Sequence, residues 1–446
     1  MAPTIRMLVL LAPLAVQAAE IPANPSNYRG LLERLAPGDT LLLASGTYTR
    51  GLPLTRTRGT PDAPIEIRGP ADRSAIFKAN DCCNTVQLTD VAYVAIRNLT
   101  LDGAGTAGPF GVDSRGASND VTLENLTIRN YGANQQVVGI STKGPAWNWV
   151  IRSNMIIGAG TGMYLGDSDG SDPFVNGLIE RNVVVDTRGY NLQIKHQQTR
   201  PMDVGLPTGD SRTVIRRNIW SKEHGGATGP DARPNVLVGH FPTTGPGSHD
   251  RYEIYGNVFC DNPTEALFQG EGNVVLHDNV FVNRAGSAIH IQAHNDRPRS
   301  VVVYHNTVLA AGDGISVTGA DSAYEQRIVG NAVFASRPIA GPGQQENVVG
   351  DPGDAGSDLV SAPATGGPLD LHPKPGRLTG PRIDLRQFEV YLDGTVDLEG
   401  RPRSGTVRGA LEGTQSGFPA PKIENVPNYP EPISQNYPLS VCIIRS

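Results

Sequence analysis

An asparagine returns along this chain in a fixed apolar frame, and that recurrence restricts the fold more than any other feature. It stands in Ile96-Arg-Asn98, Leu123-Glu-Asn125, Ile151-Arg-Ser-Asn154, Ile179-Glu-Arg-Asn182, Ile215-Arg-Arg-Asn218, Ile254-Tyr-Gly-Asn257, Leu276-His-Asp-Asn279, Val303-Tyr-His-Asn306 and Ile328-Val-Gly-Asn331. The intervals are 27, 29, 28, 36, 39, 22, 27 and 25 residues. A period in this range with short apolar strands between turns is the mark of a solenoid. Asparagine suits one fixed turn of each coil, because it tolerates left-handed backbone and its amide can bond the equivalent amide one rung away. Between the asparagines apolar residues alternate and lack three-four spacing, so each coil is expected to be β throughout. A leucine-rich repeat also stacks asparagines, but no leucine skeleton or helical return segment recurs.

Composition agrees with many short elements. The 446 residues include 52 glycines and 35 prolines, and only 38% are hydrophobic, which leaves little room for long helices. A net charge of -6 gives no basic footprint for nucleic acid, although a local cationic patch would suffice for an acidic polymer. Residues 1–19 combine Arg6, an apolar run from Met7 to Val16 and the small-residue end Val16-Gln-Ala-Ala19. That is the layout of a signal peptide for a secreted or periplasmic protein, too short to span a membrane. Of the four cysteines, only Cys82 and Cys83 are adjacent, and they are either buried thiols or an oxidised pair.

Tyr28, Leu31, Leu32 and Leu35 predict a short amphipathic helix before the first strand, suited to capping the open end of a stacked sheet. Residues 20–93 are read as this cap with the first coils, 94–340 as the repeats, 341–413 as an irregular C-terminal cap, and 414–446 as a disordered proline-rich tail.

The chain resembles the secreted right-handed parallel β-helix proteins, a superfamily that includes pectate lyases and the chondroitinase B and alginate lyase family. The resemblance covers roughly residues 27–412. It rests on Pro37-Gly-Asp-Thr-Leu-Leu-Leu-Ala-Ser-Gly-Thr-Tyr48, on Gly59-Thr-Pro-Asp-Ala-Pro-Ile-Glu-Ile67, on the asparagine coils and on Asp397-Leu-Glu-Gly-Arg-Pro-Arg403 with Arg408-Gly-Ala410. It implies an all-β, single-stranded right-handed parallel β-helix with a short N-terminal capping helix. No catalytic signature of either lyase family is intact, so no family residue is transferred, and a fold hosts many functions.

The two longest intervals are consecutive, and the extra residues, in 197–212, 222–234 and 241–250, are expected to wall a groove on one face. Beside them, Leu192-Gln-Ile-Lys-His196, Val236-Leu-Val-Gly-His240 and Leu267-Phe-Gln-Gly-Glu271 share an outline of strand, turn residue and ionisable residue. Stacked about 4.8 Å apart, they would place His196, His240 and Glu271 in one column, with Lys195 where other rungs carry glycine. Two stacked imidazoles cannot both be charged cheaply, so one should accept a proton near neutrality. Candidate catalytic residues are therefore Lys195, His196, His240, Glu271 and Arg233. Tyr164, Gln193, Arg200, Lys222, Phe268, His290 and His294 are candidates for holding substrate, and Leu237 also faces outward.

Asp167, Asp169 and Asp172 surround the turn Gly166-Asp-Ser-Asp-Gly-Ser-Asp172, which would either hold calcium or serve as a bare Asp-Gly turn. Such equipment suits proton abstraction beside a carboxylate. The expected activity is β-elimination on an acidic, uronate-containing polysaccharide, with epimerisation as its close variant. Glycoside hydrolysis by Glu271 with Asp167 or Asp250 and a non-catalytic carbohydrate-binding β-helix are the alternatives.

Overall fold

The computed structural model describes residues 18–362 and 369–413. The expectations for the signal peptide and the proline-rich tail fall, apart from the last residues of the former, outside the described residues. The described chain is almost entirely β, wound as a right-handed parallel β-helix, and its parallel strands stack into three ladders. The first runs from Glu20–Ala23 and Thr40–Leu43 through Val150–Arg152 and Arg251–Tyr255 to Gln344–Gln345. The second runs from Gly46–Tyr48 through Val183–Val185 and Val258–Cys260 to Val348–Gly350. The third runs from Leu52–Thr55 through Thr161–Leu165, Leu192–Ile194, Val236–Val238, Phe268–Gly270 and Ile289–Ile291, and it positions the site.

Strands of three to five residues suffice because each is paired on both sides, and their inward positions fill one continuous core. Leu192, Val236, Phe268 and Ile289 stack inside the third ladder, all fully buried. Phe259 and Phe281 stack a rung apart at 4.4 Å. The helix expected over 27–38 shrinks to the single turn Arg29–Leu32, after a strand that sequence reasoning missed. Its C-cap is Glu33, well before Pro37-Gly38. The turn delivers Tyr28 edge-on to Tyr48 at 5.1 Å and Phe77 at 5.7 Å.

The asparagines form two registers rather than one. From Asn154 through Asn182, Asn218, Asn257, Asn279, Asn306 and Asn331 to Asn347, each amide nitrogen donates to the next Oδ1 at 2.9–3.0 Å. Each also donates to a backbone carbonyl of a neighbouring rung, as Asn257 does to Ile215. Asn98 and Asn125 stand one position earlier and are themselves left-handed, with φ of 60° and 55°. In the later rungs the left-handed residue is the one before the asparagine, such as Arg217 or His305. The asparagine there is chosen for its paired amide, not for its backbone.

Past Leu369 the chain lies against the flank of the helix. Phe388 stacks on Tyr304 at 3.9 Å, and Leu371, Ala410 and Leu411 cover the outer side of the second ladder. Arg403 is buried and ion-paired to Asp278. Cys82 and Cys83 are bonded to each other on an exposed turn. Among the described residues no helix is long and apolar enough to cross a membrane.

Candidate active site

The third ladder fixes which side chains meet. Its outward line is Tyr164, Gln193, Leu237, Gln269, His290 and Ser316. Phe268 therefore belongs to the core, not to the substrate face: it pairs with Val236 and Ile289, and Gln269 takes the outward place expected for it. A one-residue change of register moves a side chain to the opposite face.

The same slip moves Glu271. The backbone hydrogen bonds Lys195 to Leu165, Gly239 to Ile194, Glu271 to Val238 and Gln292 to Gly270 continue the ladder past the strands. Lys195, Gly239, Glu271 and Gln292 thus share one edge position, while His196 and His240 occupy the next. Lys195 and Glu271 stand two rungs apart, roughly 9–10 Å of backbone separation, with a residue between them that has no side chain. Around this edge lies a cleft of about 110 Å³ lined by Lys195, His196, Glu271, His294 and Asn295 with Tyr190 and three glutamines.

Gly239 is also required by contact, since a Cβ there would lie 2.2 Å from the His196 nitrogen and 2.7 Å from the Lys195 carbonyl carbon. Neither backbone atom can yield without moving the rung. Gly239→Ala is therefore expected to cut turnover by about tenfold to a hundredfold through displacement of Lys195, seen as a fall in kcat at nearly unchanged substrate affinity.

His240 is not in the cleft. It is 5% exposed, and its Nε2 lies 3.2 Å from the Arg297 carbonyl. Glu271 meets the backbone amide of His240 rather than the ring, so the expected column of two imidazoles and a carboxylate does not form. His196 does reach the cleft and packs against Gly170, whose absent side chain leaves room for the ring.

Arg200, expected to bind substrate, is 2% exposed and ion-paired to Asp250, which also accepts from the Ser211 amide at 2.8 Å. That pair ties two inserted loops together, and it removes Asp250 as a hydrolytic carboxylate. Lys222 is likewise buried, its Nζ 2.6 Å and 3.1 Å from the carbonyls of Arg233 and Pro234, and burial pushes its pKa down to about 7. The Arg233 guanidinium turns onto the carbonyls of Pro230 and Ala232. These three cations hold loops in place.

The turn of three aspartates does not converge on a cation. Asp167 faces Lys143 at 3.8 Å, and Asp169 caps its own turn through the Ser171 amide at 2.9 Å. Among the described residues no group of three or more His, Cys, Asp or Glu is placed to hold a metal ion.

Electrostatics divide the cleft groups by function. Burial lowers the pKa of Lys195, against the opposing pull of Glu271 and Asp167, so its amine is easier to deprotonate than an ordinary lysine. Burial and the neighbouring Lys195 lower His196. Burial raises Glu271, although its carboxylate accepts the Asn295 backbone amide at 3.0 Å. With the Asn295 side chain turned nitrogen-first, the same carboxylate accepts two further contacts at 3.1 and 3.2 Å. Tyr164 is pushed up to about 12, chiefly by burial, and stays protonated at neutral pH. Lys143 sits 3.9 Å above its ring, and Lys195 6.0 Å from the ring centre. Tyr190, Gln269, Gln292, Asn295 and Lys143 escaped sequence reasoning. Counting the rung from Phe268 rather than Leu267 would have placed Gln269 and Gln292 on the cleft.

Residues 138–333 match the family model described as the right handed beta helix region. No curated protein matches the sequence at a significant level. Among solved structures, an alginate lyase from Paenibacillus sp. str. FPU-7 is 17% identical, with 63% of this chain and 96% of that one covered and a TM-score of 0.39. A GH136 lacto-N-biosidase from Eubacterium ramulus is 13% identical over 74% of this chain and 68% of that one, TM-score 0.46. A PL6 family polysaccharide lyase from Pseudopedobacter saltans is 12% identical over 75% and 93%, TM-score 0.42. By its three parallel ladders and the family model matched across its central coils, the chain has the right-handed parallel β-helix fold.

Proposed function

We propose that the cleft is the active site of a secreted or periplasmic polysaccharide lyase that cleaves beside a uronate by β-elimination. The observation that supports this most is Lys195: a half-buried amine with lowered pKa, aimed into an open cleft, with a protonated tyrosine beside it and a second ammonium above that tyrosine.

In this reading the neutral Lys195 amine takes the proton α to the uronate carboxylate. The electron pair released becomes a carbon–carbon double bond as the bond to the β-oxygen breaks. Tyr164 donates its hydroxyl proton to that departing oxygen and regains one from Lys195 or solvent. Lys143, together with the protonated form of Glu271 favoured by burial, stabilises the charge that builds on the carboxylate. Neither step calls for a metal ion.

Hydrolysis is the second reading, since a carboxylic acid of raised pKa such as Glu271 could protonate a leaving oxygen. It is weaker because the burial of Asp250 leaves Asp167 as its sole named partner. The two readings separate when a panel of acidic and neutral polysaccharides is digested. Elimination gives ultraviolet absorbance from an unsaturated uronate in step with new reducing ends. Reducing ends without absorbance would mean hydrolysis, and neither signal would mean a binding protein.

A further inference from the structure

The line of side chains along the third ladder is electrically lopsided about Lys195. Toward the N-terminal rungs the edge position carries Arg115 and Lys143, in register through Ser114 and Thr142. Arg115 is paired to the buried Asp113 at 2.8 Å and Lys143 to Asp167 at 3.8 Å, so two cations stand on that side of the neutral Lys195 amine. Toward the C-terminal rungs the same edge reads Gly239, Glu271, Gln292 and Thr318, and the outward face reads Leu237, Gln269, His290 and Ser316. No lysine or arginine stands at any of those eight positions.

Two carboxylates flank that half. Glu265 accepts from Gln269 at 3.1 Å, and Asp313 lies 3.1 Å from the His290 Nε2 and is ion-paired to Arg337. The nearby cations Lys222 and Arg233 are turned onto loop carbonyls.

We infer that the substrate is a mixed polymer: the uronate lies on the Lys195–Lys143 side, and the sugar across the cleaved bond, lying on Leu237 and Gln269, is uncharged. This deepens the lyase reading and rests on it. A second carboxylate on the leaving sugar would lie beside Glu265, with no lysine or arginine at those eight positions to meet it. Desolvating an anion without a partner is costly, and like charges placed together oppose binding. An uncharged pyranose meets complementary groups instead: Leu237 for its apolar face, and the amides of Gln193, Gln269 and Gln292 for its hydroxyls.

Polymers matched in their uronate test this. Heparosan, which alternates glucuronate with a neutral N-acetylhexosamine, is compared with polyglucuronate. A rhamnogalacturonan backbone, which alternates galacturonate with neutral rhamnose, is compared with polygalacturonate. The expected result is a kcat/KM at least tenfold higher on the mixed member of whichever pair is cleaved. Leu237→Lys should then narrow that ratio about tenfold by raising activity on the homopolymer, and Gln269→Lys should act in the same direction if the first variant folds poorly. Equal or better cleavage of the homopolymer, or lysine variants that leave the ratio unchanged, would overturn the inference while leaving the lyase intact. Absence of unsaturated product from all four polymers would overturn the lyase reading and this inference with it.

Discussion

Asn257→Ala is expected to lower the free energy of unfolding by about 3–5 kcal/mol, a large loss for a single substitution. The reason is the number of partners that one amide serves. Its nitrogen donates to the Ile215 carbonyl at 2.8 Å and to Asn279 Oδ1 at 2.9 Å, and its oxygen accepts both the backbone and side-chain nitrogens of Asn218, at 2.9 and 3.0 Å. Asn218, Asn257 and Asn279 are at most 1% exposed, so water cannot replace what is lost. Each buried group left without a partner costs about 1–3 kcal/mol. Asn125→Ala should cost only about 1 kcal/mol, from a partly exposed side chain in left-handed backbone. Urea unfolding of both variants checks the contrast. Similar midpoints would show that the buried amide column does not bind the coils together.

Lys195→Ala is expected to reduce turnover by about a thousandfold, within the range for loss of a positioned general base. Lys195→Arg should not restore it, because a guanidinium stays charged and cannot accept the proton. The pH dependence has a definite sign. A lowered lysine pKa means that the neutral amine accumulates at a pH where an ordinary lysine is still charged. The rate should therefore rise with pH and level off below the usual lysine range, and this limb should vanish in the alanine variant. Stability moves the other way from activity, since the buried ammonium is penalised in the folded state alone: the unfolding midpoint of Lys195→Ala should be unchanged or slightly raised. A variant that lost activity and stability together would point to a structural lysine.

Much of the fold was legible because its period is written in residues that have no other use at that frequency. The apolar frame around Asn154 through Asn331 revealed coils, and their stacking followed. What could not be read was register to one residue. Ile96-Arg-Asn98 and Ile151-Arg-Ser-Asn154 look alike as text, yet they place their asparagines at different positions of the turn. The same single-residue ambiguity at Leu267-Phe-Gln-Gly-Glu271 misassigned Phe268 to the surface and set Glu271 level with the histidines instead of Lys195.

Burial was the second hidden variable. Arg200 and Lys222 in loops rich in glycine and proline resemble exposed cations, but the loops fold back, and both side chains end on internal acceptors. His240 was sealed by residues 294–299, more than fifty positions later in the chain. Lys195 was singled out because a charged residue in a glycine position of a repeat is unusual whatever the register, and His196 and Glu271 because each closes the same outline of strand and turn residue.

The reaction class is tested most directly by digestion in heavy-oxygen water, with the fragments weighed by mass spectrometry. The structure leads us to expect two fragments whose masses sum to that of the parent, one carrying an unsaturated uronate and neither carrying the heavy oxygen. Fragments that together gain one water, with the heavy label on the new reducing end, would contradict β-elimination at Lys195.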